Sequence, residues 1–158
     1  MKQLIEFKRL QRALADYAND FVEKYKGHLS ESDRRATGNL ITSINSRVVV
    51  DGYEFVVEME LADYYIYVEN GTRPHMPPVS KILEWIRIKP VLPYPMSNGK
   101  MPTPEGLAWM IAKKIEREGT EGSHDLEKTF NEMDYWEQRI EEALDDDVLD
   151  CLEELIAF

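Results

Sequence analysis

Three histidines, one cysteine and a run of carboxylates are the residues of this chain whose chemistry could reach beyond packing. His28, His75 and His124 lie far apart, each in a stretch that reads as loop. No two have the spacing of a metal-binding pair, so solvated side chains are expected. Cys151 has Leu149 and Leu152 as near neighbours on a helix, which points to a small buried or half-buried thiol rather than a nucleophile. The acids of "EEALDDDVLDCLEE" could suggest a site for a hard cation. Calcium loops, however, need a glycine-bearing irregular turn, and this run has helical spacing. There is no GxSxG elbow, P-loop or GxGxxG turn. The chain is therefore expected not to be an enzyme, and to need no cofactor or metal.

A different chemistry belongs to "YVENGTRPHMPP", residues 67–78. Gly71 permits a backbone reversal. Pro74 fixes its own φ and pushes Arg73 extended, and Pro77 does the same to Met76. A stiff arm of this kind loses little entropy on docking. A guanidinium carried on it is better suited to a contact than to packing. Tyr64, Tyr65, Tyr67, Trp85 and Trp109 are aromatic enough for a binding surface, although most should be core, with one tyrosine or two exposed.

The 158 residues fit one domain, or one domain with an appendage, and a 43% hydrophobic fraction allows a real core. No apolar run reaches the ~18 residues of a membrane span. Charges spread through "MKQLIEFKRLQRALADYANDF" argue against a secretory signal, so the acceptor triplet Asn70-Gly71-Thr72 is discounted. The single cysteine argues against a disulfide framework and for a reducing compartment. Net charge is −11, unevenly spread: residues 121–158 hold 14 Asp/Glu against Lys128 and Arg139, while residues 1–120 are nearly neutral. The basic stripe of a nucleic-acid-gripping protein is not evident.

Periodicity predicts the elements that must position these residues. Leu4, Leu10, Leu14, Tyr17, Phe21, Val22 and Tyr25 recur at helical spacing, with Gly27 as a stop. "HLSESDRRATGN" reads as a mobile polar link, and "LITSIN" as a short helix started by Thr37 or Asn39. "RVVVDGYEFVVEMEL" predicts a β-hairpin turning at Asp51-Gly52. Tyr53, Phe55, Val57, Met59 and Leu61 form its core face. "ADYYIYVENGT" has strand-favouring aromatics. Yet Tyr64 and Val68 lie four apart, Asp63 could cap a helix and Gly71 could end one, so a short helix is expected. "VSKILEWIRI" is a helix with Val79, Leu83 and Ile86 as its stripe. The segment 89–106, with five prolines and two glycines, is a loop or arm. Thr103 then caps a helix that ends at Gly119. "GTEGSHD" reads as a hinge, followed by an acidic helix with Asp134 and Glu137 as a capping-box-like pair. Ile140, Leu144, Val148, Leu152, Leu155 and Ile156 form its stripe. "ENGT" and "REGT" both close elements with Gly-Thr, without a structural repeat.

In this order, "TGNLITSI", the hairpin, "ADYYIYVENGTRPHMPP", a Trp-bearing helix and "GLAWMIAKKIEREGT" resemble the tail-completion or neck proteins of tailed bacteriophages, a head–tail joining family. The resemblance covers roughly residues 35–120, and "YVENGTRPH" is its most specific block. It implies an α+β fold: a small antiparallel sheet, the β-hairpin, packed by N-terminal, central and C-terminal helices. Residues 1–120 would form the joining domain, with the acidic helical segment 121–158 packed on it or extending from it. The implied role is a virion structural protein that joins the head's portal and adaptor to the tail. It would assemble as a homo-oligomeric ring around the DNA channel, in contact with adaptor or portal-side and tail-terminator proteins. DNA would pass through without specific binding, and no membrane is involved. Its implied location is the virion head–tail junction, and the host bacterial cytoplasm during assembly.

By position, Tyr64, Tyr67, Val68, Glu69, Gly71 and Thr72 match the family motif, where they serve the fold. Arg73, Pro74, His75 and Met76 begin a loop expected at an inter-subunit or partner contact, together with Tyr94 and Lys100 of the Pro-rich arm. Asp145, Asp146 and Asp147 are candidate channel-facing acids that would repel phosphates and let DNA slide; facing outward, they would equally serve solubility. The sequence departs from the family in its long Pro-rich insertion at 89–104. It also has "EGSHDLEKTF" where an apolar pair such as Phe-Leu often follows the late helix. The alternative from another class is an acidic DNA mimic or regulatory interaction protein of a phage or prophage, favoured by the charge of 121–158.

Overall fold

A computed structural model describes residues 6–32, 38–89 and 91–157; Leu4 and Thr37 lie outside the described residues. The first helix, α1 (Lys8–Glu31), buries Leu10, Ala18, Phe21, Tyr25 and Leu29. Gly27 does not end it. A helical glycine costs only ~1 kcal/mol, and the next turn recovers that by burying His28 and Leu29. α1 thus takes in the first residues of the expected polar link. After α2 (Asn39–Ser43), which starts from Gly38 at φ +71, comes the hairpin of β1 (Asn45–Asp51) and β2 (Glu54–Glu60). Its register pairs Val48 with Val57 and Asp51 with Glu54, so the turn is Gly52-Tyr53, one residue later than expected. Positive φ falls on Gly52 and not on Tyr53, which suits a two-residue turn with glycine at its first central position. Phe55, Val57 and Met59 are half-buried, while Tyr53 is solvated.

The short helix α3 (Tyr65–Asn70) ends at Gly71, φ +73. Strand β3 (Gly71–Thr72) follows and pairs antiparallel with β4 (Thr120–Glu121). Between these strands lie α4 (Val79–Ile88) and α5 (Pro104–Glu118), the latter capped by Thr103, whose hydroxyl accepts from Gly106 N at 3.1 Å. Beyond β4 come α6 (Asp125–Asn131) and α7 (Trp136–Ile156). The fold is α+β: seven helices and two two-stranded antiparallel sheets among the described residues. None of these helices is long and apolar enough to cross a membrane.

Two apolar cores divide the chain. The larger gathers Phe21, Tyr25, Leu29, Leu40, Ile44, Met133 and Trp136, with Met59, Leu61, Tyr65 and Val68 packed against them. The smaller joins Ile82 to Ala108 and Ala112, whose small side chains let α4 and α5 approach closely, with Val79, Leu83 and Ile86 around them. The acidic segment therefore packs on the body through Met133 and Trp136. The hairpin α4–α5 is the part with a core of its own.

Three local expectations are corrected. "GTEGSHD" is no hinge, because Thr120–Glu121 is a paired strand. Asp134 does not cap α7 with its side chain; its carbonyl accepts from Glu137 N at 3.2 Å. The stripe of α7 is mostly exposed from Leu144 onward. Helical spacing groups residues on a face but does not say which neighbouring face is turned inward. Trp136, Ile140, Ala143, Asp147 and Cys151 share the inward one, all buried or half-buried.

Candidate functional site

The two Gly-Thr sequences meet. Gly71 pairs with Glu121 and Thr72 with Thr120, forming a clasp at the root of the α4–α5 hairpin. Thr72 N donates to Thr120 Oγ1 at 3.0 Å, and the two hydroxyls lie 2.9 Å apart. Glycine is required on both sides. Gly71 and Gly119 each hold φ +73, and a Cβ on Gly71 would stand 2.1 Å from Thr120 O, one on Gly119 2.1 Å from Thr72 O. Gly122 is equally tight against Glu69 O. Ser123 N then donates to Val68 O at 2.8 Å and His124 N to Glu69 O at 3.2 Å, which extends the seam.

From the clasp, Arg73, Pro74, His75 and Met76 run exposed toward α4. Their anchors are a hydrogen bond from His75 N to Ile115 O at 3.4 Å and a 2.8 Å approach of His75 Nδ1 to Arg73 O. Tyr94 and Lys100 stand apart in the Pro-rich segment. There Met96 N donates to Lys100 O and Gly99 N to Met96 O, closing a turn. Tyr94 is 89% exposed. Of the tyrosines of α3, Tyr65 packs on the core, whereas Tyr64 and Tyr67 are exposed. Val68 touches the core.

Glu69 is only 8% exposed. Its Oε2 accepts from Leu126 N at 2.8 Å and its Oε1 from Glu127 N at 3.1 Å. These are the second and third N–H groups of α6, the donors an N-cap side chain normally satisfies. The carboxylate of α3 thus caps a helix whose own N-cap, His124, has φ +54 and contributes no side-chain bond. Glu69, His124 and Glu127 place ligand atoms within 4.8 Å of one another, the spacing of a cation site. Both Glu69 oxygens are already committed to N–H donors at the positive end of α6, which favours an anion there and opposes a cation. Their arrangement serves the cap.

Asp147 repeats the device and corrects its expected role. It is 5% exposed and packs inward, its Oδ2 accepting from Leu10 N at 2.8 Å and its Oδ1 from Arg9 N at 3.2 Å. It caps α1 from the far end of the chain, so it is not a channel-facing acid, while Asp145 and Asp146 remain exposed. Arg9 also bridges to Asp150.

Where the last turns of α1 meet α6 lies a buried polar cluster. His28, expected in solvent, is buried, with Nδ1 3.2 Å from Thr129 Oγ1 and Nε2 3.0 Å from Glu132. Ser32 Oγ donates to buried Asp125 at 2.6 Å. The Tyr25 hydroxyl is buried without a hydrogen-bond partner among the described residues. Its ionisation is pushed up by burial first, then by the charges of Glu69 and Asp125. Burial also pushes the Cys151 thiol up, away from thiolate chemistry.

No family model, curated protein or solved structure matches the chain. The geometry itself describes an exposed, Pro-stiffened arm and helical hairpin, seated on a body by a glycine clasp, while long-range caps hold the starts of α1 and α6 within that body. Sequence reading missed Asp147 and Glu69 as caps. The available signal was an absence: "IEF" before α1 holds no Ser, Thr, Asp or Asn to satisfy its first N–H groups.

Proposed function

We propose that this chain is a structural joint of a tailed-phage particle, a ring subunit joining the portal and adaptor side of the head to the tail while DNA passes through. One observation carries the reading. The block that most resembles the joining family, "YVENGTRPH", coincides with the clasp and the arm it projects. Val68 seats the block in the core, Glu69 caps α6, Gly71 and Thr72 close the clasp, and Arg73–Met76 emerge into solvent. A joint needs this combination of rigid seat and preorganised, exposed contact. Asp145 and Asp146 remain available to a channel-facing surface; Asp147 does not.

The test is quantitative mass spectrometry of purified particles, counting this protein against the major capsid protein. A low, ring-like copy number, with unjoined heads and tails when the gene is deleted, supports the role. Absence from particles despite expression refutes it. A second reading, an acidic DNA mimic or regulatory protein, is favoured by α7, which holds nine Asp/Glu against Arg139 alone. Salt-sensitive binding to a DNA-binding protein would support that one.

A further inference from the structure

The sheet of β1 and β2 has two strands, so each strand keeps one edge unpaired among the described residues. Asp51 and Glu54 close its two-residue turn. They and every second pair beyond them, Val49–Val56 and Arg47–Glu58, therefore bond to each other. The residues between direct their N–H and C=O groups outward. On β2 these are Phe55, Val57 and Met59; on β1 they are Ser46, Val48 and Val50. Among the described residues, no backbone bond from outside the β-hairpin reaches these groups. Ser46 N is satisfied locally by Asn45 Oδ1 at 2.9 Å, which leaves β2 with the more open edge.

The side chains carry the mark of a wider sheet. A β-hairpin with one wet face should alternate, yet Val48, Val49 and Val50 run consecutively, as do Phe55, Val56 and Val57. Val50 and Val56 are exposed. An open edge is a template that only another extended strand satisfies. Two β2 edges do not suit each other, because antiparallel pairing about Val57 sets Glu54 opposite Glu60 twice. The β1 edge does suit β2. Set in the register the chain already uses, it places Val48 beside Val57, Val49 beside Val56 and Arg47 beside Glu58. We infer that β2 of one copy pairs antiparallel with β1 of a second copy, extending the sheet from subunit to subunit. The contact is heterologous and leaves an edge open at each end, so it propagates until a ring closes. It deepens the joint reading, on which it rests for that closure.

The contact is tested by proline placement in the full chain, read by sedimentation velocity up to millimolar concentration. Val57→Pro removes an N–H that serves no bond within the β-hairpin, so the fold should survive, as it does with edge prolines elsewhere. Val56→Pro removes one that does, and should lower Tm sharply. The wild type is expected to associate beyond a dimer, and Val57→Pro to lose about tenfold or more in affinity. Should Val57→Pro fail to fold, amide exchange of the wild type decides. Phe55, Val57 and Met59 should exchange fast in the dilute chain and become protected as it associates, while Val56 and Glu58 are protected throughout. A wild type that stays monomeric or stops at a dimer overturns the contact. So does association that a folded Val57→Pro leaves unchanged, or edge amides whose exchange ignores concentration. Each of these leaves the joint reading to the particle count.

Discussion

Replacing Glu69 isolates what a long-range helix cap contributes to this fold. Glu69→Ala removes both acceptors from Leu126 N and Glu127 N, 2.8 and 3.1 Å away. Losing an N-cap costs about 1–2 kcal/mol. Losing the negative charge at the positive end of α6 adds ~0.5–1 kcal/mol. The expected loss is therefore roughly 1.5–3 kcal/mol, or about 3–12 °C in Tm for a chain of this size. Glu69→Gln keeps one acceptor but turns an amide donor toward the N–H groups, so it should fall between alanine and wild type. Glu153→Ala, an exposed change on α7, is the reference and should stay within ~0.5 kcal/mol. Urea unfolding gives the free energies, and amide exchange should quicken selectively at Leu126 and Glu127. If Glu69→Ala matched Glu153→Ala, or exchange at those two amides were unchanged, the capping argument would fail.

Other perturbations separate the remaining contributions to the fold. A glycine-to-alanine series should separate conformation from crowding. Gly27→Ala should stabilise by ~0.5–1 kcal/mol in an open helical site, Gly52→Ala should cost ~1 kcal/mol for positive φ alone, and Gly71→Ala more than ~2 kcal/mol; equal losses at 52 and 71 in thermal unfolding would contradict the clasp. Asp20 is raised by burial, but hydrogen bonds from Tyr135, Trp136 and Lys24 outweigh this and hold its carboxyl below the usual range. A depressed folded pKa gives stability that is present above about pH 4 and lost as pH falls further, so Asp20→Asn should be less stable at neutral pH and lose less on acidification, measured as Tm against pH. Tyr25→Phe should leave stability unchanged or raised, since it removes a buried hydroxyl without a partner; a loss above ~1 kcal/mol would mean that the hydroxyl is satisfied. Because the folded Tyr25 resists ionisation, its contribution is present below about pH 10 and lost as pH rises, so the same variant should flatten the alkaline limb of Tm.

The hairpin, the ends of α3 and α5 at Gly71 and Gly119, and the Thr103 cap were all legible, because each rests on contacts within a few residues, whereas the α+β class was implied by the family resemblance. What escaped depends on partners far apart in sequence. Gly27 reads as a stop until Leu29 is seen buried against the core. Asp147 reads as one of three solvated acids until Leu10 N is seen beside it, 137 positions away. "GTEGSHD" reads as a hinge because Gly, Ser and Thr favour loops. Only the pairing of Thr120 with Thr72 turns those glycines into sites of close backbone approach.

That pairing also explains why the arm can be both exposed and firm. A segment with three prolines between Thr72 and Val79 has few conformations to lose, but stiffness alone does not fix its direction. Direction comes from its ends. Thr72 is held by Thr120 on one side, and α4 is held by the Ala108–Ala112 seam on the other, with His75 N pinned to Ile115 O between them. The same residues that hold the hairpin to the body therefore aim Arg73. A clasp variant should misdirect the arm before it unfolds the body, because the larger core contains none of the clasp residues.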